Sequence, residues 1–210
     1  MNANPDQEFF YPNKMGRIIL LAMEEILGQN GLIAVLNQTE LQNLINPYPP
    51  NNLDLEFNFN SLSRLLAGLE AFYGPRGGKG LALRTGRACF KYGIREFGPL
   101  LGITDLAFRL LPLSTKISEG AKLFAETFNK FTDQIVKVEE TEAQILWQIE
   151  RCPVCWQRKS SEPICHLAVG LLQESLYWIS GGKHFCVEET DCIAQGASAC
   201  TIAIEKYPLE

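Results

Sequence analysis

The chain has 210 residues, 46% of them hydrophobic and 20% charged, with a formal net charge of −5. That length suits one compact domain with its own core. The acidic balance argues against nonspecific nucleic-acid binding, which needs a basic surface. No run reaches about 18 uninterrupted apolar residues, so no membrane span is expected. The opening MNANPDQEFFYPNK lacks the charged-then-apolar order of a signal peptide. Seven cysteines in such a chain point to a reducing, cytoplasmic setting, where metal binding is favoured over disulfides.

Residues 1–13 read as a flexible lead-in carrying an aromatic cluster, Phe9-Phe10-Tyr11. Asn13 is placed to cap a helix from Lys14 to about Leu27, stopped by Gly28 and Gly31. Its apolar positions Ile18, Leu21, Ala22 and Ile26 recur at helical spacing. A second short helix is expected over Leu32–Ile45, and INPYPPNN then breaks the pattern. From Phe59 a helix resumes, with Leu62, Leu65, Leu66, Leu69 and Phe72 on one face. GPRGGKG reads as a turn, since it lacks the Ser/Thr and the preceding strand of a phosphate loop. In the next helix Arg84, Arg87, Lys91 and Arg95 form a basic stripe, read either as a solvated face or as a clamp for an anion. Residues 99–132 are helical with a break at Pro112.

Around residue 132 the period changes. QIVKVEETE and AQILWQIERC alternate as two strands of a hairpin. Ser160 or Ser161, Glu162 and Pro163 start a helix, ICHLAVGLLQESLYWIS, which stops at Gly181-Gly182. HFCVEE and CTIAIE supply two more strands. Helices first and β-β-α-β-β after them predict an α+β fold with an antiparallel sheet. The division is a helical part, 14–131, and a β-β-α-β-β part, 132–207, within one domain running from 14 to 210.

Six of the seven cysteines and both histidines lie between Cys152 and Cys200. Cys165, at its helix start, can join Glu189, Cys192 and Cys200 as a soft, tetrahedral zinc set that staples the helix to the last hairpin. Cys152 and Cys155, a Cys-x-x-Cys pair, compete for the same metal. The alternative is buried free thiols packing as small hydrophobes. His166 and His184 read as ordinary core or surface residues. Phe90, Leu106, Phe108, Leu110, Phe124, Phe128 and Trp147 are the candidate walls of an apolar ligand pocket, or else plain core. No G-x-G-x-x-G follows a strand, so no dinucleotide site is visible and no catalytic residue is named.

The run CPVCW…PICHLAVGLLQESLYWISGGKHFCVEETDCIAQGASACTIAI resembles the 4-vinyl reductase (4VR), or hydrocarbon-binding, domain family. The resemblance is sharp over about residues 145–206: a cysteine opening a Gly-containing helix, Gly-Gly, Glu-x-x-Cys, Gly, and a final Cys-x-x-x-Ile. It implies a fold like the ligand-binding domain of the NO-signalling/Golgi-transport superfamily, usually dimeric, around an apolar pocket. In the family's phenol-responsive activators a structural zinc is held by a Cys, a Glu-x-x-Cys and a later Cys, which fall on Cys165, Glu189, Cys192 and Cys200. Cys152 and Cys155 are not placed by it.

The family name comes from reduction of a vinyl group on a chlorophyll precursor. With no redox cofactor site visible, the reading favours a binding, sensor or carrier module for a tetrapyrrole intermediate or an aromatic. Such a module would serve chlorophyll biosynthesis or photosystem assembly together with a partner protein. A vinyl reductase component with an external electron donor, and a purely structural dimeric assembly protein, stand as the alternatives.

Overall fold

The computed structural model describes residues 7–101, 108 and 110–209. Strand β1 (Phe10–Pro12) leads into helix α1 (Asn13–Gln38), and a 3-10 turn (Gln42–Leu44) and strand β2 (Leu55–Asn58) follow. Helix α2 (Phe59–Leu101) and helix α3 (Leu113–Phe131) complete the helical part. The hairpin β3 (Ile135–Glu140) and β4 (Gln144–Arg151), helix α4 (His166–Ser180), and strands β5 (Phe185–Asp191) and β6 (Cys200–Pro208) make the second part. Its sheet is antiparallel in the order β3-β4-β6-β5. An α+β fold with helices ahead of an antiparallel sheet is the class that the hydrophobic pattern predicts.

Several local expectations are overturned, each for a physical reason. Residues 10–12 of the expected lead-in are a strand, paired with β2 so that Tyr11 faces Phe57. Phe9 and Tyr11 are buried. The Phe10 N–H donates to Asp133 Oδ2 at 2.8 Å, and the Arg151 guanidinium lies 3.9 Å over the Phe9 ring. Asn13 does not cap α1; its amide donates to Asn52 and Glu56, and Pro12 holds the N-cap position.

Gly28 does not end α1. It takes the left-handed φ of 72° at a kink, and the helix runs on to Gln38. The glycine-rich GPRGGKG is likewise no open turn. Only Gly74 leaves helical geometry (φ 73°), and Pro75 follows as the first residue of the second arm of α2. The bend is sharp enough that a Cβ on Gly78 would meet the Glu70 backbone. Leu62, Leu65, Leu66 and Leu69 are buried as their spacing predicts, whereas Phe72 is exposed. Leu106 lies outside the described residues.

Helix α1 is long and apolar enough by composition to cross a bilayer. Leu20, Ala22, Met23, Val35 and Leu36 on it are fully buried, and its main packing partner is α2. It is therefore placed here as a core helix.

The most extensive contact between elements joins α2 to α4. Their backbones touch: a Cβ on Gly86 would strike the Leu167 carbonyl oxygen, and one on Gly170 would strike that of Leu83. Neither obstacle is a flexible side-chain end, so the helices must separate to admit even a methyl group. Gly170→Ala should destabilise the protein by at least about 2 kcal/mol, the cost of overpacking against rigid backbone. Denaturant unfolding checks this, and an unchanged midpoint would remove the close approach from the account of the fold.

Candidate metal centre and ligand cavity

Five sulfurs and one carboxylate converge where four elements meet. Cys152 and Cys155 lie just past the end of β4, Cys165 is the N-cap residue of α4, Glu189 stands on β5, Cys192 follows β5, and Cys200 opens β6. All five thiols are 0–1% exposed. Their donor atoms fall into two overlapping tetrads, Cys152/Cys155/Cys165/Cys200 and Cys165/Glu189/Cys192/Cys200.

The sulfur separations are 3.5 Å for Cys152–Cys165, 3.4 Å for Cys155–Cys200 and 3.6 Å for Cys165–Cys200. They are 3.9 Å for Cys165–Cys192 and 3.8 Å for Cys200–Cys192. Zinc–thiolate bonds of about 2.3 Å in a tetrahedron set ligand sulfurs about 3.8 Å apart. The donor atoms thus stand at the spacing a thiophilic tetrahedral ion requires.

The surrounding electrostatics agree. Contacts with Cys152 first, then Cys155, Cys192 and Cys200, hold the Cys165 thiol well above its ordinary pKa. This many sulfurs cannot all ionise in one dry pocket without a cation. Burial first, then the Cys192 charge, pushes the Glu189 carboxyl up to about 8. Its Oε2 accepts the Cys165 backbone N–H at 2.7 Å, and its buried Oε1 has no hydrogen-bond partner. An orphaned carboxylate oxygen among sulfurs is what a cation would satisfy. Cys200 Sγ accepts the Ile193 N–H at 3.3 Å, which suits a thiolate.

An apolar cavity of ≈ 100 Å³ adjoins this cluster. Ile18 and Ile19 of α1, Cys89 and Phe90 of α2, Phe124 and Phe128 of α3, Trp147 of β4, and Leu171 and Leu172 of α4 line it. Val154, between the two cysteines of the Cys-x-x-Cys pair, and Leu167, two residues after Cys165, join the same wall. Rings meet edge to face there: Phe90 with Phe124 at 6.2 Å, and Phe128 with Trp147 at 6.3 Å. The polar end is Tyr11, whose hydroxyl donates to Gln134 Oε1. A smaller void of ≈ 20 Å³ shares Phe90, Phe124 and Leu172 with it.

Of the residues named from sequence as pocket walls, Phe90, Phe124, Phe128 and Trp147 meet at this cavity. Leu110 does not: it is 76% exposed, just before the α3 N-cap Pro112. Phe108 is half-buried and faces Gly120 of α3 instead. No sequence signal marks Tyr11, Gln134 or Val154, which reach the cavity only through the pairing of distant elements. His166 is half-buried, and burial first lowers its pKa. His184 is exposed and stacks on Tyr177 at 5.0 Å. Arg84, Arg87, Lys91 and Arg95 do not converge on the cluster or the cavity; Arg87 donates to Gln173 at 2.7 Å.

Comparison with known proteins adds a family and a fold. Residues 146–206 match the model of the 4-vinyl reductase (4VR) domain. No curated protein matches the chain. Among solved structures the chain is similar to an H-NOX protein from S. oneidensis in the Fe(II)NO ligation state, with 13% identity, 92% of this chain and 99% of that chain covered, and a TM-score of 0.59. It is similar also to the Fe(II) unliganded H-NOX protein from K. algicida, with 14% identity, 93% and 97% covered, and a TM-score of 0.56. A third likeness, from the study of heme distortion in the H-NOX family, has 14% identity, 95% and 97% coverage and a TM-score of 0.59. At these identities the likeness establishes the fold.

Burial pushes the pKa of the cavity thiol Cys89 up to about 12, from an ordinary value of 9.0. Its folded pKa is raised, so the neutral thiol is favoured and is lost only as pH rises through about 12. At about pH 8 the folded protein should therefore show rapid alkylation of exposed Cys186 and none of Cys89. Peptide mapping after iodoacetamide reads this out, and equal labelling of the two would contradict the burial.

Proposed function

We propose that this protein, whose residues 146–206 match the 4-vinyl reductase domain on an H-NOX-like fold, is a binding or sensor module for a small hydrophobic molecule, with structural zinc at the cysteine cluster. The observation that carries the reading is the aromatic-walled cavity beside the thiols, with Val154 and Leu167 shared between the two neighbourhoods. Zinc suits the donor chemistry, since closed thiolate-rich tetrahedral sites are its structural form. The metal would fix the start of α4, and α4 would fix the cavity wall.

The size of the cavity narrows the ligand class. An engineered apolar cavity of roughly 150 Å³ takes up benzene, so ≈ 100 Å³ suits a ligand of about one ring. The Tyr11–Gln134 pair at its edge would receive a phenolic hydroxyl or a similar polar group. A haem is a poor fit. Among the described residues no histidine lines the cavity, Cys89 is held as a neutral thiol, and the Tyr11 hydroxyl is already engaged by Gln134. A tetrapyrrole would also require the helices to part, so the single-ring aromatic is the preferred cargo.

Phenol, toluene and indole, titrated separately, should quench Trp147 fluorescence and raise the melting temperature. Cys89→Leu fills the cavity with added carbons and should weaken that binding about tenfold or more, with zinc content unchanged. Failure of all three probes to bind the wild-type chain would sink the ligand reading.

Stripping the metal with a chelator should cost several kcal/mol of stability. A chain that is purified without zinc and is indifferent to added zinc would sink the metal reading.

A further inference from the structure

A single ion leaves part of the cluster without a role. On the four-cysteine tetrad it strands Cys192 and Glu189, both buried, with Glu189 Oε1 unpartnered. On the tetrad that contains Glu189 it strands Cys152 and Cys155, both 1% exposed and still within 3.5 Å of the site's sulfurs. The two tetrads are not alternatives drawn from separate places. They share one edge, Cys165–Cys200, at 3.6 Å.

We infer that the cluster holds two zinc ions per chain, bridged by the Cys165 and Cys200 thiolates. Cys152 and Cys155 are the terminal ligands of one ion, and Cys192 and Glu189 those of the other. Each ion is then four-coordinate, and every buried donor of the cluster has a metal partner.

Three observations support the assignment. The terminal sulfurs touch the shared edge from both sides: Cys152 and Cys155 at 3.5 and 3.4 Å, Cys192 at 3.9 and 3.8 Å. The shared sulfurs have added support for negative charge, as Cys200 accepts the Ile193 N–H and Cys165 stands at the positive end of the 15-residue helix α4. The charge also balances no worse than in an ordinary site. Six deprotonated donors less four positive charges leave an excess of two, the same as one divalent ion on four thiolates. Loading releases the donors' protons to solvent and needs no redox partner.

The inference rests on the zinc reading above and goes further in stoichiometry and ligand set. Native mass spectrometry with zinc quantified on the same wild-type sample tests it without any variant. Two ions per chain is the expected result. One ion per chain would overturn the bridged pair and leave the single-ion staple standing; none would overturn both.

Cobalt substitution supplies an independent signature. Bridging thiolates couple two high-spin ions, so the paramagnetic resonance signal should rise with the first equivalent and fall with the second. A signal that simply doubles would mean separate, unbridged sites and would overturn the bridge. The double variant Cys152→Ser/Cys155→Ser should retain one zinc per chain. Retention of two would remove those cysteines from the ligand set and overturn the assignment.

Discussion

The convergence of β4, α4, β5 and β6 on one buried sulfur cluster is the constraint from which the rest of the architecture hangs. Cys152 meets Cys165 across 13 positions of sequence and Cys155 meets Cys200 across 45. No hydrophobic contact could hold those four chain segments in so small a volume with comparable directionality. Buried thiols and a carboxylate are also poor core material on their own, because their charged forms are expensive away from water. The same residues that would weaken an apolar core become its strongest tie once a cation neutralises them.

The cavity inherits its shape from that tie. Leu167, Ala168, Leu171 and Leu172 of α4 form one wall, Ile149 and Val154 flank the end of β4, and α1, α2 and α3 close the remaining sides. The N-terminal strand belongs to the same design. Asp133, between α3 and β3, accepts the Phe10 N–H, and the backbone carbonyl of Asp133 accepts Arg151 at 2.8 Å. Tyr11 is thereby carried to the cavity edge beside Gln134. Chain start, hairpin and final helix all depend on one another at this point.

What could be read from sequence follows the range of each interaction. The β-β-α-β-β order was legible because alternation, the Gly181-Gly182 stop and the Pro163 start are local signals. The donors Cys165, Glu189, Cys192 and Cys200 were nameable because soft ligands with a short Glu-x-x-Cys spacing have few other uses. The relation of Cys152 and Cys155 to that set was not readable, since it depends on how the segment after β4 folds back onto α4. Strands β1 and β2, of three and four residues, are too short to display a period. The GPRGGKG stretch misled because glycine is common in turns, whereas here a single positive φ at Gly74 makes the bend and the remaining glycines are helical.

The contact of Gly86 and Gly170 bears on how α4 can move. Side-chain layers between helices absorb small displacements by changing rotamers, but backbone against backbone has no such compliance. A shift imposed on the Cys165 end of α4 must therefore turn the whole helix about Gly170 rather than dissipate locally. Gly170 lies near the N-terminal end of α4, with Trp178 and the exposed Gly181 well beyond it. The helix is a lever with a short arm at the sulfur cluster and a long arm at the surface, so small displacements at the metal end are magnified at the other.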